Sequence, residues 1–201
     1  MPGYGEMAAE LLDKLGVSQA VVFGWSLGGH IAMELLPRFS GMVGLMIEAA
    51  PPVHPTPESF QQGFRAHPLV PLIFQEKLSE EEMEFFLANI YGDSVSPAMR
   101  DALKRTDGRA RSLLFQTLFD GRTSDQQTLA EATKVPLAIV NGENDPIINV
   151  EYVGGLTYAS LWEKHCFVLR GEGHSAFLSN PEVFNPIFER FVAEMANSAK
   201  R

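Results

Sequence analysis

The chain has 201 residues, 45% hydrophobic and 20% charged, with 16 basic and 25 acidic side chains and a net charge of −9. That size and composition suit a folded chain with a sizeable core, and the acidic balance argues against nucleic acid as a partner. The single cysteine, Cys166, excludes an internal disulfide framework and a cysteine-based zinc cluster, and no run is long and apolar enough to span a membrane. With no leader pattern at Met1–Glu10, a cytoplasmic protein is expected.

Residues 5–15 predict a helix with Met7, Leu11, Leu12 and Leu15 on one face and Gly16 as its stop. Residues 20–23 follow as a short run that is apolar throughout, the signature of a strand covered on both faces in a parallel sheet. Residues 42–47, 137–140 and 166–169 read the same way. Helical patterns separate these runs, at 28–36, 150–161 and 181–196. Strand and helix in alternation predict an α/β fold with a parallel sheet. The alternation breaks once. A proline-rich exit at 49–57 leads into residues with helical patterns only, including Ser79-Glu80-Glu81-Glu82 as a helix start, until strand signals resume at Val135. The chain therefore divides into a first core part (1–50), a helical insertion over the sheet (51–133) and a second core part (134–201). Half of the 14 phenylalanines fall in the insertion, where they could equally form a small core of its own.

The strongest chemical signal is Gly24-Trp25-Ser26-Leu27-Gly28-Gly29, lying between a predicted strand and a predicted helix. That is the context a Gly-x-Ser-x-Gly turn needs to hold a nucleophilic serine clear of the sheet. A Cβ at either flanking glycine is expected to clash with neighbouring backbone. The helix starting behind Ser26 offers free N–H groups and a positive dipole end to a developing oxyanion. A serine hydroxyl also needs a base, itself oriented by an acid. Asn141-Gly142-Glu143-Asn144-Asp145-Pro146 and Gly171-Glu172-Gly173-His174 each follow a predicted strand, placing Asp145 and His174 at the same sheet edge as Ser26. Singly, Asp145 reads as a turn former and His174 as a loop histidine; three matches at three strand ends read as a site.

These motifs resemble the α/β-hydrolase superfamily, from about Met7 to the C-terminus. Gly-Trp-Ser-Leu-Gly-Gly-His is similar to the elbow of carboxylesterases, carrier-protein methyl esterases and cofactor-free haloperoxidases. Gly-Glu-Asn-Asp-Pro-Ile is similar to the family's acid loop, and Gly-His-Ser-Ala-Phe-Leu to its histidine loop. The resemblance implies Ser26 as nucleophile, His174 as general base then acid, Asp145 as its orienting partner and the Leu27 N–H as an oxyanion donor. It implies a helical lid at 51–133, no cofactor and no metal, and a small ester or acyl compound as substrate. Peroxide in place of water would make the same triad a perhydrolase. Glu48, at the end of the second strand, is the alternative acid; Glu143 and Glu172 could replace Asp145 sterically but occupy positions the family leaves to loop chemistry. Trp25 braces the elbow and is the candidate substrate-binding side chain. His30 reads as packed, and His54, His67 and His165 lack a carboxylate at useful spacing.

Family members carry several strands before the first helix found here, and a loop there supplies a second oxyanion N–H. The sequence is thus expected to be the C-terminal two-thirds of such a fold. The 20–23 strand then becomes a sheet edge, a template for a two-fold dimer. Loss of one oxyanion donor costs about 10²- to 10³-fold in turnover. A non-catalytic binding or self-associating module is the alternative reading.

Overall fold

The computed structural model describes residues 2–198. In chain order, helix α1 (Pro2–Lys14), strand β1 (Ala20–Trp25), helix α2 (Leu27–Leu35) and strand β2 (Met42–Glu48) come first. Six helices then intervene: α3 (Pro57–Gly63), α4 (Leu69–Phe74), α5 (Glu80–Tyr91), α6 (Pro97–Arg105), α7 (Arg109–Thr117) and α8 (Gln126–Ala132). Strand β3 (Leu137–Gly142), helix α9 (Val150–Gly155), strand β4 (Phe167–Leu169) and helices α10 (Ala176–Ser179) and α11 (Pro181–Ser198) complete the order. The four strands pair in parallel in the order β1-β2-β3-β4, the α/β architecture the apolar runs predict.

The strands are apolar throughout because both sheet faces are covered. Leu45 and Ile47 of β2 join Leu137 and Ile139 of β3 in a core with Ala32 and Met33 of α2. The alternate residues Met46, Ala138 and Val140 pack on the other face against Phe184, Phe191 and Met195 of α11. Period-two alternation of the Cβ atoms sends neighbours to opposite layers. The helix start at Ser79 forms as a capping box: the Ser79 hydroxyl receives the Glu82 N–H at 3.1 Å and the Glu82 carboxylate receives the Ser79 N–H at 2.7 Å.

Two elements differ from expectation. Helix α1 turns its larger apolar residues outward, with Met7 67% and Leu11 57% exposed and Leu15, just past its end, 67% exposed. It meets the body instead through Ala8, Ala9 and Leu12, with Gly5 packed directly on Glu34 of α2, an approach that only a small residue permits. The helix expected over 150–161 stops at Gly155. Leu161 leaves the helix to bridge Leu137 beside β3.

Candidate active site

The link between β1 and α2 turns at Ser26, whose φ of 51° and ψ of −121° lie in territory that non-glycine residues rarely adopt. Such a conformation costs about 1–3 kcal/mol and persists only where the surroundings dictate it. Here the Ser26 N–H donates to the Glu48 carbonyl at 2.8 Å, extending the β1–β2 ladder through the turn. The glycines contribute unequally. A Cβ on Gly24 would run into the Gly28 carbonyl, and one on Gly29 into Ala50 of the next strand end, whereas a Cβ on Gly28 would meet open space. Close backbone approach therefore requires Gly24 and Gly29, not both flanks of the five-residue motif as its pattern suggests.

The three strand-end residues expected to act together converge. The Ser26 hydroxyl donates to His174 Nε2 at 2.9 Å. The opposite ring nitrogen, Nδ1–H, donates to Asp145 Oδ2 at 2.8 Å. Asp145 Oδ1 is held from behind by the N–H groups of Ile147 and Ile148, at 2.9 and 3.1 Å. An ionised carboxylate only accepts, so this arrangement fixes Nδ1 as the protonated nitrogen and leaves Nε2 free to take a proton from Ser26. Asp145 is 0% and His174 1% exposed, so water does not dilute the interaction. At the first position of α2, the Leu27 N–H has no intrahelical acceptor and lies beside Ser26, where a developing negative charge would find it.

Ser26 and Leu27 open onto a cavity that encloses about 800 Å³ of atom-free space, its mouth included. Its far walls are Phe60 of α3 and Phe64 just after it, Phe74 of α4, and Leu114, Leu118 and Phe119 from α7 and the turn after it. Ile147 and Ile148 close the side next to Asp145. An apolar chamber ending at a hydrogen-bonded hydroxyl suits a substrate with a greasy tail and a polar reacting group.

The sequence profile described as the Alpha/beta hydrolase family matches residues 3–187. The chain belongs to the α/β hydrolase family. Among curated relatives, the pimeloyl-[acyl-carrier protein] methyl ester esterase of Neisseria meningitidis is 24% identical over 209 residues, covering 96% of this chain and 80% of the relative. The AB hydrolase superfamily protein YisY of Bacillus subtilis is 24% identical, covering 94% of this chain and 73% of its own. Among solved structures, the N-acyl homoserine lactonase AidH complexed with N-butanoyl homoserine is 35% identical with a TM-score of 0.93, over 96% of this chain and 70% of that one. A mutant of the same lactonase complexed with N-hexanoyl homoserine lactone gives 34% identity and a TM-score of 0.94, over 98% and 72%.

In this α/β hydrolase the residues around the three strand ends have distinct placements. Trp25 does not line the cavity, contrary to the substrate-binding role expected of it. Its Nε1–H donates to the His174 carbonyl at 2.6 Å, and its ring packs on Tyr91 and Phe177, so it braces the histidine loop from behind. Glu48 does not reach the imidazole either. Its Oε1 receives the Phe177 N–H at 3.2 Å while Oε2 is buried without a partner, and burial pushes the carboxyl up to about 8. A protonated Glu48 is the form this site favours. Glu143 and Glu172 hold loop backbone and side chains, at Gly171 and at Ser179 and Asn180. Two histidines gain partners that sequence spacing hides. His54 contacts Asp125, 71 positions later, at 2.8 Å, and His30 contacts Gln126, 96 positions later, at 2.7 Å. Among the described residues no helix is long and apolar enough to cross a membrane.

Proposed function

We propose that the protein is a serine hydrolase of carboxylic esters, lactones included, acting through an acyl-enzyme on Ser26. The observation that carries this reading is the unbroken chain from Ser26 through His174 to Asp145, opening onto an apolar cavity. The Ser26 oxygen attacks the acyl carbonyl as its proton passes to His174 Nε2, and the Leu27 N–H receives the oxyanion. The alcohol leaves with the proton from His174. Water, deprotonated by the same imidazole, then releases the acid and restores the serine. Asp145 holds the tautomer that makes both transfers possible. Residues 51–133 serve as the lid, their phenylalanines packing around the acyl tail.

Among esters, the reading favours N-acyl homoserine lactones, because the lactonase structures share more identity with this chain than the methyl ester esterases do. The test is burst release of p-nitrophenol from p-nitrophenyl butyrate, together with acid release from N-hexanoyl homoserine lactone followed in a pH-stat. Ser26→Ala is expected to abolish the burst and lower turnover by about 10⁴- to 10⁶-fold. Equal turnover by both proteins refutes the mechanism; ester turnover without lactone turnover refutes the substrate class alone.

A further inference from the structure

His30 lies one helical turn after Ser26 on α2, so the two side chains share a helix face, and both line the cavity. The state of its ring follows from its neighbours. Gln126 sends its Nε2 toward two acceptors, the His30 carbonyl at 3.1 Å and the Glu34 carboxylate at 3.4 Å. The amide nitrogen must face them, so the amide oxygen faces His30 Nδ1 at 2.7 Å. Nδ1 therefore carries a proton and donates it. Glu34 is itself fixed, receiving the Ser124 N–H at 2.9 Å and hydroxyl at 2.7 Å and pairing with Arg38 at 3.2 Å, so Gln126 cannot turn over. Burial lowers the imidazole below its usual range, which keeps the ring neutral and leaves Nε2 as a bare lone pair.

No donor among the described residues meets that lone pair, yet it is not a buried orphan. Among the described residues the buried side-chain polar atoms without partners are Glu48 Oε2 and Asn141 Nδ2. His30 Nε2 is therefore accessible, on a ring stacked at 6.0 Å against Phe64 of the cavity wall. Of the other polar groups nearby, Thr123 donates to the Thr117 carbonyl and Gln126 is used at both ends. His54 Nδ1 meets Asp125 and leaves its Nε2 as the second imidazole nitrogen on the cavity wall; His30 is distinguished from it by lying four residues from Ser26. A neutral acceptor beside the serine, in an otherwise apolar chamber, has no use for a plain alkyl ester. It has one for a substrate that brings an N–H.

We propose that His30 is a specificity-determining residue, whose Nε2 accepts a hydrogen bond from a substrate amide N–H and so selects acyl compounds carrying an amide near the scissile ester. The inference rests on the Ser26 reading for where the substrate lies, but it concerns binding and can fail alone. Its test uses Ser26→Ala protein, which cannot turn over, and two ligands that differ by one atom. N-hexanoyl homoserine lactone carries the amide N–H; 2-hexanoyloxy-γ-butyrolactone has oxygen in its place and offers no donor. Calorimetry is expected to give an affinity at least about 10-fold higher for the amide, a difference that disappears when His30→Phe is added. Equal affinities, binding of neither ligand, or a difference that survives His30→Phe overturns the proposal. So does a difference that disappears with His54→Phe instead. Should His30→Phe fail to fold, ¹⁵N NMR of the free protein decides: a protonated Nδ1 with bare Nε2 is expected, and an Nε2–H tautomer or an imidazolium overturns it. Turnover of p-nitrophenyl butyrate by the unsubstituted protein judges the Ser26 reading separately.

Discussion

The sheet edge and the six-helix segment that covers it contribute to one cavity by opposite means. At the edge, position comes from the backbone: Ser26 is locked to the β2 end, Asp145 sits on two N–H groups, and His174 is braced through its carbonyl by Trp25. Asp145, Ile147 and Ile148 are at most 2% exposed. In the helical segment, Leu113, Phe115 and Phe119 are 56%, 50% and 37% exposed, and ion pairs such as Arg100–Glu84 and Arg109–Asp107 lie in solvent, where they stabilise little. Chemistry needs groups fixed to within a fraction of an ångström, whereas holding an alkyl tail needs only shape and greasiness. On the proposed reading, the backbone-held edge supplies the first and the apolar covering segment the second.

Substitutions that strike one half should leave a different signature from those that strike the other. The largest effect is expected from Asp145→Asn, which keeps the shape but frees the imidazole to adopt the wrong tautomer. Turnover of p-nitrophenyl butyrate should fall by about 10⁴-fold with an unchanged circular dichroism spectrum. A loss under tenfold would mean that the edge does not orient its base through Asp145. A smaller, selective effect is expected from Phe60→Ala in the covering helices. The ratio of kcat/KM for p-nitrophenyl hexanoate over acetate should drop about 10-fold, in line with the loss of a pocket contact. Both esters falling together would place the acyl tail elsewhere.

The smallest effect concerns stability. The Glu48 carboxyl titrates at about 8 in the fold against an ordinary value of 4.5, so the folded chain binds the extra proton between those limits. Its contribution is complete below the lower value and is lost as pH rises through the upper one. Thermal midpoints should thus decline from pH 5 to pH 8 more steeply in the unsubstituted protein than in Glu48→Gln, by about 2–4 °C for each kcal/mol of linkage. Parallel declines in the two proteins would remove Glu48 from that role.

The strand ends were legible because each candidate follows directly on an apolar run, and a parallel sheet brings such ends to one edge. The outward face of α1 was not. Periodicity identifies the apolar side of a helix, but contact with α2 is made by the small residues Gly5 and Ala8, which an apolar count ranks low. The stop at Gly155 was missed because apolar residues continue past it into the bridge at Leu161. His30 reads in sequence as a packed residue, whereas it lines the cavity, and what makes it informative is Gln126, 96 positions away across a segment whose helices show no register in sequence. Contacts between the two halves depend on tertiary packing, and no local pattern encodes them.

The pair Ile147-Ile148 belongs to both halves at once. Its amides seat the acid while its side chains form cavity wall. Divergence toward new substrates is therefore unequally free around this chamber. Replacements at Phe60, Phe74 or Phe119 can redraw its outline while leaving the acid alone, whereas resculpting the isoleucine wall risks shifting the loop that aims Asp145. On the proposed reading, a lineage built this way would explore acyl groups through its covering helices and keep the isoleucine wall nearly constant, and an engineered library would do well to follow the same division.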